Sequence, residues 1–325
     1  MAAADRLVLA WYRGALWLWL LRPLELVFRT VAALRRALYQ NGLLPSYRCP
    51  VPVVVIGNIT VGGTGKTPAV IALVESLQAR GLRVGVVSRG YGARELQAAY
   101  RVTDDSRAYQ CGDEPLLIQR RTGCPCVVAP SRADAVRTLL ADTAVDIIVS
   151  DDGLQHYALQ RDLEIALLDA ERGIGNGFCL PAGPLREPAS RLKTVDHVLY
   201  RGSGDESNGL QYRQVALVHL ASGRECAVSP SIIGNNVHAI AGIGQPEQFF
   251  TGLERQGFNL QRHPLGDHHD YSVTDFEGLA DKPLIMTEKD AVKCASIAGD
   301  NAWYLKIDAQ LPRSVTESVA MLVRP

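Results

Sequence analysis

Apolar residues fall along this chain in two rhythms. Short unbroken runs rich in β-branched residues recur at 53–56 (VVVI), 83–88 (RVGVVS), 126–129 (CVVA), 145–149 (VDIIV) and 163–168 (LEIALL), and runs of that length read as strands buried on both faces. Between them, over 69–80 and 132–140, apolar residues return every three or four positions, the spacing of a helix with one inward face. Strand, helix and strand in so short a stretch make a βαβ unit, which implies a parallel sheet. Two runs at 212–220 and 224–228 flank the turn Ala221-Ser222-Gly223 and read as a hairpin at a domain boundary. A second α/β pattern follows. It has a strand at 238–242, a helix over 246–256 closed by Gly257, a strand at 284–290 running into charge, a last strand at 304–307 and a helix over 313–322.

The first 46 residues follow neither rhythm. From Leu7 to Leu21 only Arg13 is charged, and Trp11, Trp17 and Trp19 lie in that run. Pro23 then interrupts, and a second apolar and basic stretch continues to Leu44. The run is shorter than the roughly 20 residues that a membrane span needs, so a helix lying in the bilayer interface is expected. Arg6 and Arg13 share one helical face, as do Arg22, Arg29 and Arg36, and an excess of arginine over Asp5 and Glu25 would attract anionic headgroups. A cleaved signal peptide is disfavoured, since no small-residue cleavage site follows. The expected organisation is therefore a membrane-associated helical segment at 1–46, a nucleotide-binding core at 47–211, a two-stranded linker at 212–230 and a smaller α/β domain at 231–325.

Composition changes this picture little. Lysine plus arginine equals aspartate plus glutamate at 34 each, and the balanced charge gives no general field for nucleic acid. The seven cysteines are scattered, and Cys124-Pro125-Cys126 lacks the partners of a zinc site.

The candidate chemistry begins where the first strand ends, at GNITVGGTGKTP (57–68). Glycines free a loop to turn its N–H groups inward, and the following helix aims its positive end at the same point. This P-loop-like stretch, with Thr60, Val61, Gly62, Gly63, Thr64, Gly65, Lys66 and Thr67 as the phosphate-binding residues, predicts a nucleoside triphosphate. Thr60 stands where the usual pattern has glycine, so the entry to the loop is expected to differ. Thr67 offers a hydroxyl to Mg²⁺. The strand that ends in Asp151-Asp152 offers the carboxylate that such a loop requires, and spacing does not say which of the two it is.

Three further groups stand out. Asp113 and Glu114 open a helix near Pro115. Residues 173–191 carry Gly173, Gly175, Gly177 and Gly183 with Pro181, Pro184 and Pro188, a long irregular loop in which Arg186 and Glu187 are charged, with Arg191 and Lys193 following at reach for a phosphate. In the second domain His268 and His269 stand between Asp267 and Asp270, a cluster without zinc-ligand spacing. Asp113, expected at the same sheet edge as the phosphate loop, is the candidate base, with His268 or His269 as the neighbour that tunes it.

The ordered set GNITVGGTGKTP, SRGYG (88–92), GDEP (112–115), SDDGLQH (150–156), LPAGPLREP (180–188), DHHDY (267–271) and TEKDAVK (287–293) resembles the tetraacyldisaccharide 4′-kinase family over nearly the whole chain. The resemblance implies transfer of the ATP γ-phosphate to the 4′-hydroxyl of a tetraacylated glucosamine disaccharide 1-phosphate, at the cytoplasmic face of a bacterial inner membrane. It implies a P-loop domain and a smaller α/β domain joined by a two-stranded linker, supports Asp113 as base, and adds Glu187 as a further Mg²⁺ ligand beside Thr67, Asp151 and Asp152. The competing expectation is a membrane-recruited ATPase that switches a protein partner, which has no need of a second substrate pocket.

Overall fold

The computed structural model describes residues 3–63, 65–94 and 96–323, with side chains from Arg6 onward. The expected phosphate ligand Thr64 lies outside the described residues. The chain opens with α1 (Ala3–Arg13), a 3-10 turn at Leu16–Leu21 and α2 (Arg22–Gln40). Pro23 therefore starts a helix instead of interrupting one, because its missing N–H falls in the first turn where no partner exists.

The first half runs β1 (Val53–Gly57), α3 (Lys66–Gln78), β2 (Val84–Ser88), β3 (Tyr100–Val102), α4 (Ala108–Cys111), α5 (Asp113–Thr122), β4 (Cys126–Val128), α6 (Arg132–Asp142), β5 (Ile147–Asp151), β6 (Leu163–Asp169) and β7 (His197–Arg201). Then β8 (Gly209–His219) leads into the second half: β9 (Glu225–Cys226), α7 (Pro230–Ile233), β10 (Asn236–Ala241), α8 (Pro246–Arg255), β11 (Asn259–Pro264), β12 (Leu284–Thr287) and α9 (Glu288–Cys294). Finally β13 (Ala302–Gln310) and α10 (Arg313–Met321) close the chain.

The strands pair in the order β11-β10-β12-β13-β8-β7-β6-β1-β5-β2-β4-β3, with β9 on the side of β8. Apart from β3 on β4 and the short β9 on β8, pairs within each half are parallel. Alternate residues of β1 enter opposite layers, Val54 and Ile56 against α3 and α5, Val53 and Val55 against the α6 side, where Phe28 of α2 also packs. The doubly wound, mostly parallel α/β architecture expected from the apolar runs is present.

The connection between the halves differs from the expected one. The hairpin forms, with Leu217 and Val218 opposite Cys226 and Glu225, but β9 is two residues long. The ribbon that joins the halves is instead β8 with β13, antiparallel from Trp303↔His219 to Gln310↔Gln211. Beyond it, Val315, Val319 and Ala320 of α10 share a core with Val54, Leu73 and Leu116. The stretch assigned from sequence to the second domain thus ends inside the first half, because α10 buries its apolar stripe on α3.

Candidate active site

The loop after β1 is shaped by two glycines with positive φ, Gly62 at 104° and Gly65 at 76°, and α3 begins directly afterwards at Lys66. Thr60 and Val61 serve a different end from the one expected. Thr60 bridges Leu185, and the Val61 amide donates to the Pro184 carbonyl at 2.8 Å, so both tie the loop's entry to the irregular segment and the Val61 N–H is not free for a phosphate. That tether takes the place of the usual first glycine. On the exit side, Tyr212 of β8 donates its hydroxyl to the Gly65 carbonyl, and Gln245 of the second half donates to the Gly63 carbonyl at 3.1 Å.

Lys66 and Thr67 are nearly buried at the first turn of α3, and Lys66 Nζ is 3.7 Å from Asp152 Oδ1. The two aspartates at the end of β5 have separate surroundings. Asp152, held at φ 46° where non-glycine residues are uncommon, lies between Lys66 and Arg186, whose Nη1 is 3.2 Å away. Burial would raise its pKa, but Lys66 and Arg186 outweigh burial and hold the carboxyl below the usual range. Asp151 is 1% exposed, accepts from Ser88 Oγ at 3.1 Å, and its other oxygen Oδ1 has no partner. Burial, with Glu114 and Asp152 nearby, pushes its carboxyl up to about 7. Buried beneath both, Arg132 donates to the Asp151 carbonyl at 2.7 Å. It was not singled out in the sequence, where nothing distinguishes SRAD from an ordinary helix start.

Across the cleft, α5 begins at Asp113. The Asp113 carboxylate is 3% exposed, and its Oδ2 lies 3.0 Å from His268 Nδ1. His268 is the second non-glycine residue with positive φ among the described residues, at 56°. Lys289 Nζ lies 3.8 Å and Lys293 Nζ 3.7 Å from the same carboxylate oxygen. Burial tends to raise the Asp113 pKa, but the bond from His268 with Lys289 and Lys293 wins, leaving it below the usual carboxylate range. The expectation that a neighbour would make it a stronger base is thereby corrected, because the neighbours are cations and donors.

The remaining candidates are placed otherwise. His269 is not brought to Asp113; its Nε2 is 3.2 Å from Asp275 and its ring packs edge-on against Tyr271. Glu187 accepts from the Tyr157 hydroxyl and from Gln155 Nε2 at 3.3 Å, and lies 3.5 Å from Arg191 Nε. Arg191 is a buried strut between Glu164, at 2.5 Å, and Glu187, not a phosphate ligand, while Lys193 is exposed. Lys289 and Lys293 escaped a strand reading of 284–290. The T-x-x-D spacing of Thr287 and Asp290, where the Thr287 hydroxyl accepts from the Asp290 amide at 3.1 Å, marks instead the start of α9.

This arrangement has counterparts. The model of the tetraacyldisaccharide-1-P 4′-kinase family matches residues 17–324. Tetraacyldisaccharide 4′-kinases of Pseudomonas paraeruginosa and Azotobacter vinelandii are 53% and 54% identical over 312 residues, 95% of this chain and 94% of theirs. The crystal structure of LpxK from Aquifex aeolicus in complex with ATP aligns with a TM-score of 0.77 at 27% identity, covering 93% of this chain and 97% of that one. A glycine-rich loop and an aspartate–histidine pair contributed by two α/β halves, a family match over almost the full length and relatives at about half identity agree: the chain belongs to the tetraacyldisaccharide 4′-kinase family.

Proposed function

We propose that this kinase transfers the γ-phosphate of ATP to the 4′-hydroxyl of a tetraacylated glucosamine disaccharide 1-phosphate, with Asp113 accepting the hydroxyl proton. The observation that carries this reading is the 3.0 Å contact between Asp113 and His268, contributed by opposite halves beside the glycine-rich loop. In a loose phosphoryl-transfer transition state the hydroxyl keeps its proton until late, so a carboxylate below the usual pKa range suffices as acceptor. The His268 ring orients that carboxylate. Lys66 faces the charge on the β- and γ-phosphates, and the N-terminus of α3 adds its dipole.

The residues fit Mg²⁺. The unpartnered, buried Asp151 Oδ1 offers such an ion a free carboxylate oxygen, and burial with Glu114 and Asp152 nearby raises the pKa of that carboxyl. Among the described residues no three acidic, histidine or cysteine side chains converge as a metal cage, which suits an ion completed by substrate phosphates and water. Thr67 and Asp151 would hold it, with Asp152 kept in place by Lys66 and Arg186; bound there, it would neutralise phosphate charge.

The acceptor is presented at a bilayer surface, on this reading the cytoplasmic face of the inner membrane. Among the described residues no helix is long and apolar enough to cross a membrane. Leu16, Trp17, Trp19, Leu20, Leu24, Val27, Val31 and Leu34 are all exposed on the first segment. The test uses Mg·ATP and the acylated disaccharide 1-phosphate: the wild-type protein forms the 4′-phosphorylated lipid, and Asp113→Asn lowers turnover on the order of 10²-fold with ATP affinity retained. ADP release at full rate without lipid, or normal turnover in Asp113→Asn, overturns the proposal.

A further inference from the structure

The motif TEKDAVK holds a residue that the reaction so far leaves without a task. Lys289 Nζ lies 3.2 Å from His268 Nε2, the ring nitrogen turned away from Asp113. The same ammonium is 3.1 Å from Glu114 Oε1, 3.6 Å from Asp267 Oδ1 and 3.8 Å from Asp113 Oδ2. Its charge is secure. Burial opposes the cation, but Glu114, Asp113 and Asp267 together outweigh burial and raise its pKa.

An ammonium has only hydrogens to offer. At 3.2 Å it needs an acceptor, and Nε2 accepts only when it carries no proton. The single ring proton then resides on Nδ1 and is donated to Asp113. We propose that Lys289 is a positioning residue that fixes the tautomer of His268, and so aims the Asp113 carboxylate while preventing the imidazole from taking up a second proton. This rests on the reading of Asp113 as proton acceptor and deepens it. Lys289 and His268 both belong to the second half and Asp113 and Glu114 to α5 of the first, so the ring's tautomer is set within the second half and the aimed carboxylate is met only when the halves come together.

The groups facing the imidazole are few. Asp113 and, through Lys289, Glu114 face it from α5, and Lys289 faces it from α9, with Lys293 acting through Asp113. Asp267 lies beside it in its own turn, 3.8 Å from Nε2, and the Tyr91 ring packs edge-on. Without the ammonium, the Asp267 carboxylate is the charged group left beside Nε2, and a carboxylate there favours a proton on that nitrogen as well.

The experiment reads the nitrogens directly. Full-length protein labelled with ¹⁵N in histidine is compared as wild type, Lys289→Met and Lys289→Arg, with His268→Gln to assign the signals and thermal unfolding to confirm folding. In the wild type at pH 7, His268 shows a protonated Nδ1 and a bare Nε2. Lys289→Met shows both nitrogens protonated at that pH, turnover falls on the order of 10²-fold with the KM for ATP within about twofold, and Lys289→Arg restores the single-proton pattern and at least a tenth of the turnover. A wild-type ring already doubly protonated, an unchanged pattern in Lys289→Met, or near-normal turnover in that variant each overturns the assignment. Failure of Asp113→Asn to impair turnover would instead overturn the proton-acceptor reading, and the two failures are read from different proteins.

Discussion

Removing apolar side chains from the exposed stripe of the first segment should detach the protein from bilayers without unfolding it. Leu24, Val27, Val31 and Leu34 recur at intervals of three and four, so they line one side of α2, turned away from the side that carries buried Glu25 and core-packed Phe28, and Leu20 is exposed in the 3-10 turn just before it. Consider Leu20→Ser, Leu24→Ser and Val31→Ser together. These side chains are 82%, 59% and 59% exposed, which amounts to about two fully exposed apolar side chains. At about 2 kcal/mol for each such side chain moved from water into hydrocarbon, the triple variant loses about 4 kcal/mol of partitioning, close to 10³-fold. Folding stability should change by less than about 1 kcal/mol, because exposed positions contribute little to it. The assay is co-sedimentation with phosphatidylglycerol vesicles over a range of lipid concentrations, with a urea melt of the same preparations. Raised salt should weaken the wild-type attachment only in part, since screening does not reach the apolar term. A shift in lipid affinity below about tenfold refutes the reasoning. So does a loss of affinity accompanied by a comparable loss of stability, which would make the stripe part of the folded core.

Other expected outcomes are more local. Lys66→Ala removes the cation nearest the phosphate loop and should lower turnover on the order of 10²-fold or more in the lipid kinase assay. Burial, with Arg132 and Arg89 adding to it, drives the His156 pKa down to about 3, so the native ring stays neutral while the unfolded ring gains a proton below about 6.5. Stability from this residue is therefore whole above that pH and is lost as pH falls toward 3, by about 2 kcal/mol at pH 5; urea melts at pH 7 and pH 5 should show it, and His156→Gln should flatten that slope. Arg121 pairs with Glu288 at 2.9 Å and Asp308 at 2.5 Å, so Arg121→Ala strands a buried carboxylate and should cost about 3 kcal/mol in thermal unfolding, much of it recovered by adding Glu288→Gln.

Much of the sheet was legible because its central strands are dense apolar runs: β1, β5 and β6 are buried along their whole length, and such runs leave little ambiguity. What escaped was peripheral or mixed in character. The edge strand β11 carries Asn259, Gln261, Arg262 and His263 and is mostly exposed, and β7 is only five residues long with Leu199 alone fully buried. The glycine-rich loop before α3 and the paired aspartates at the end of β5 were readable as local patterns. Their partition was not, since Arg186 and Ser88 reach Asp152 and Asp151 from other segments. Likewise, DHHD offered two histidines with equal claim, and only the left-handed turn at His268 separates the ring that meets Asp113 from the one that meets Asp275. The ribbon between the halves was misassigned because β13 lies some eighty residues from β8, while the nearby hairpin matched a local rule.

The return of α10 sets a condition on biosynthesis. Val315 and Val319 are fully buried against α3, yet they are synthesised only after the whole second half. The first half must therefore wait, its α3 face uncovered, while the entire intervening half is translated and folds as an insertion. A chain truncated before Arg313 would lack the lid of that core while retaining every candidate catalytic side chain, and would be expected to turn to aggregation despite carrying a complete set of reactive groups.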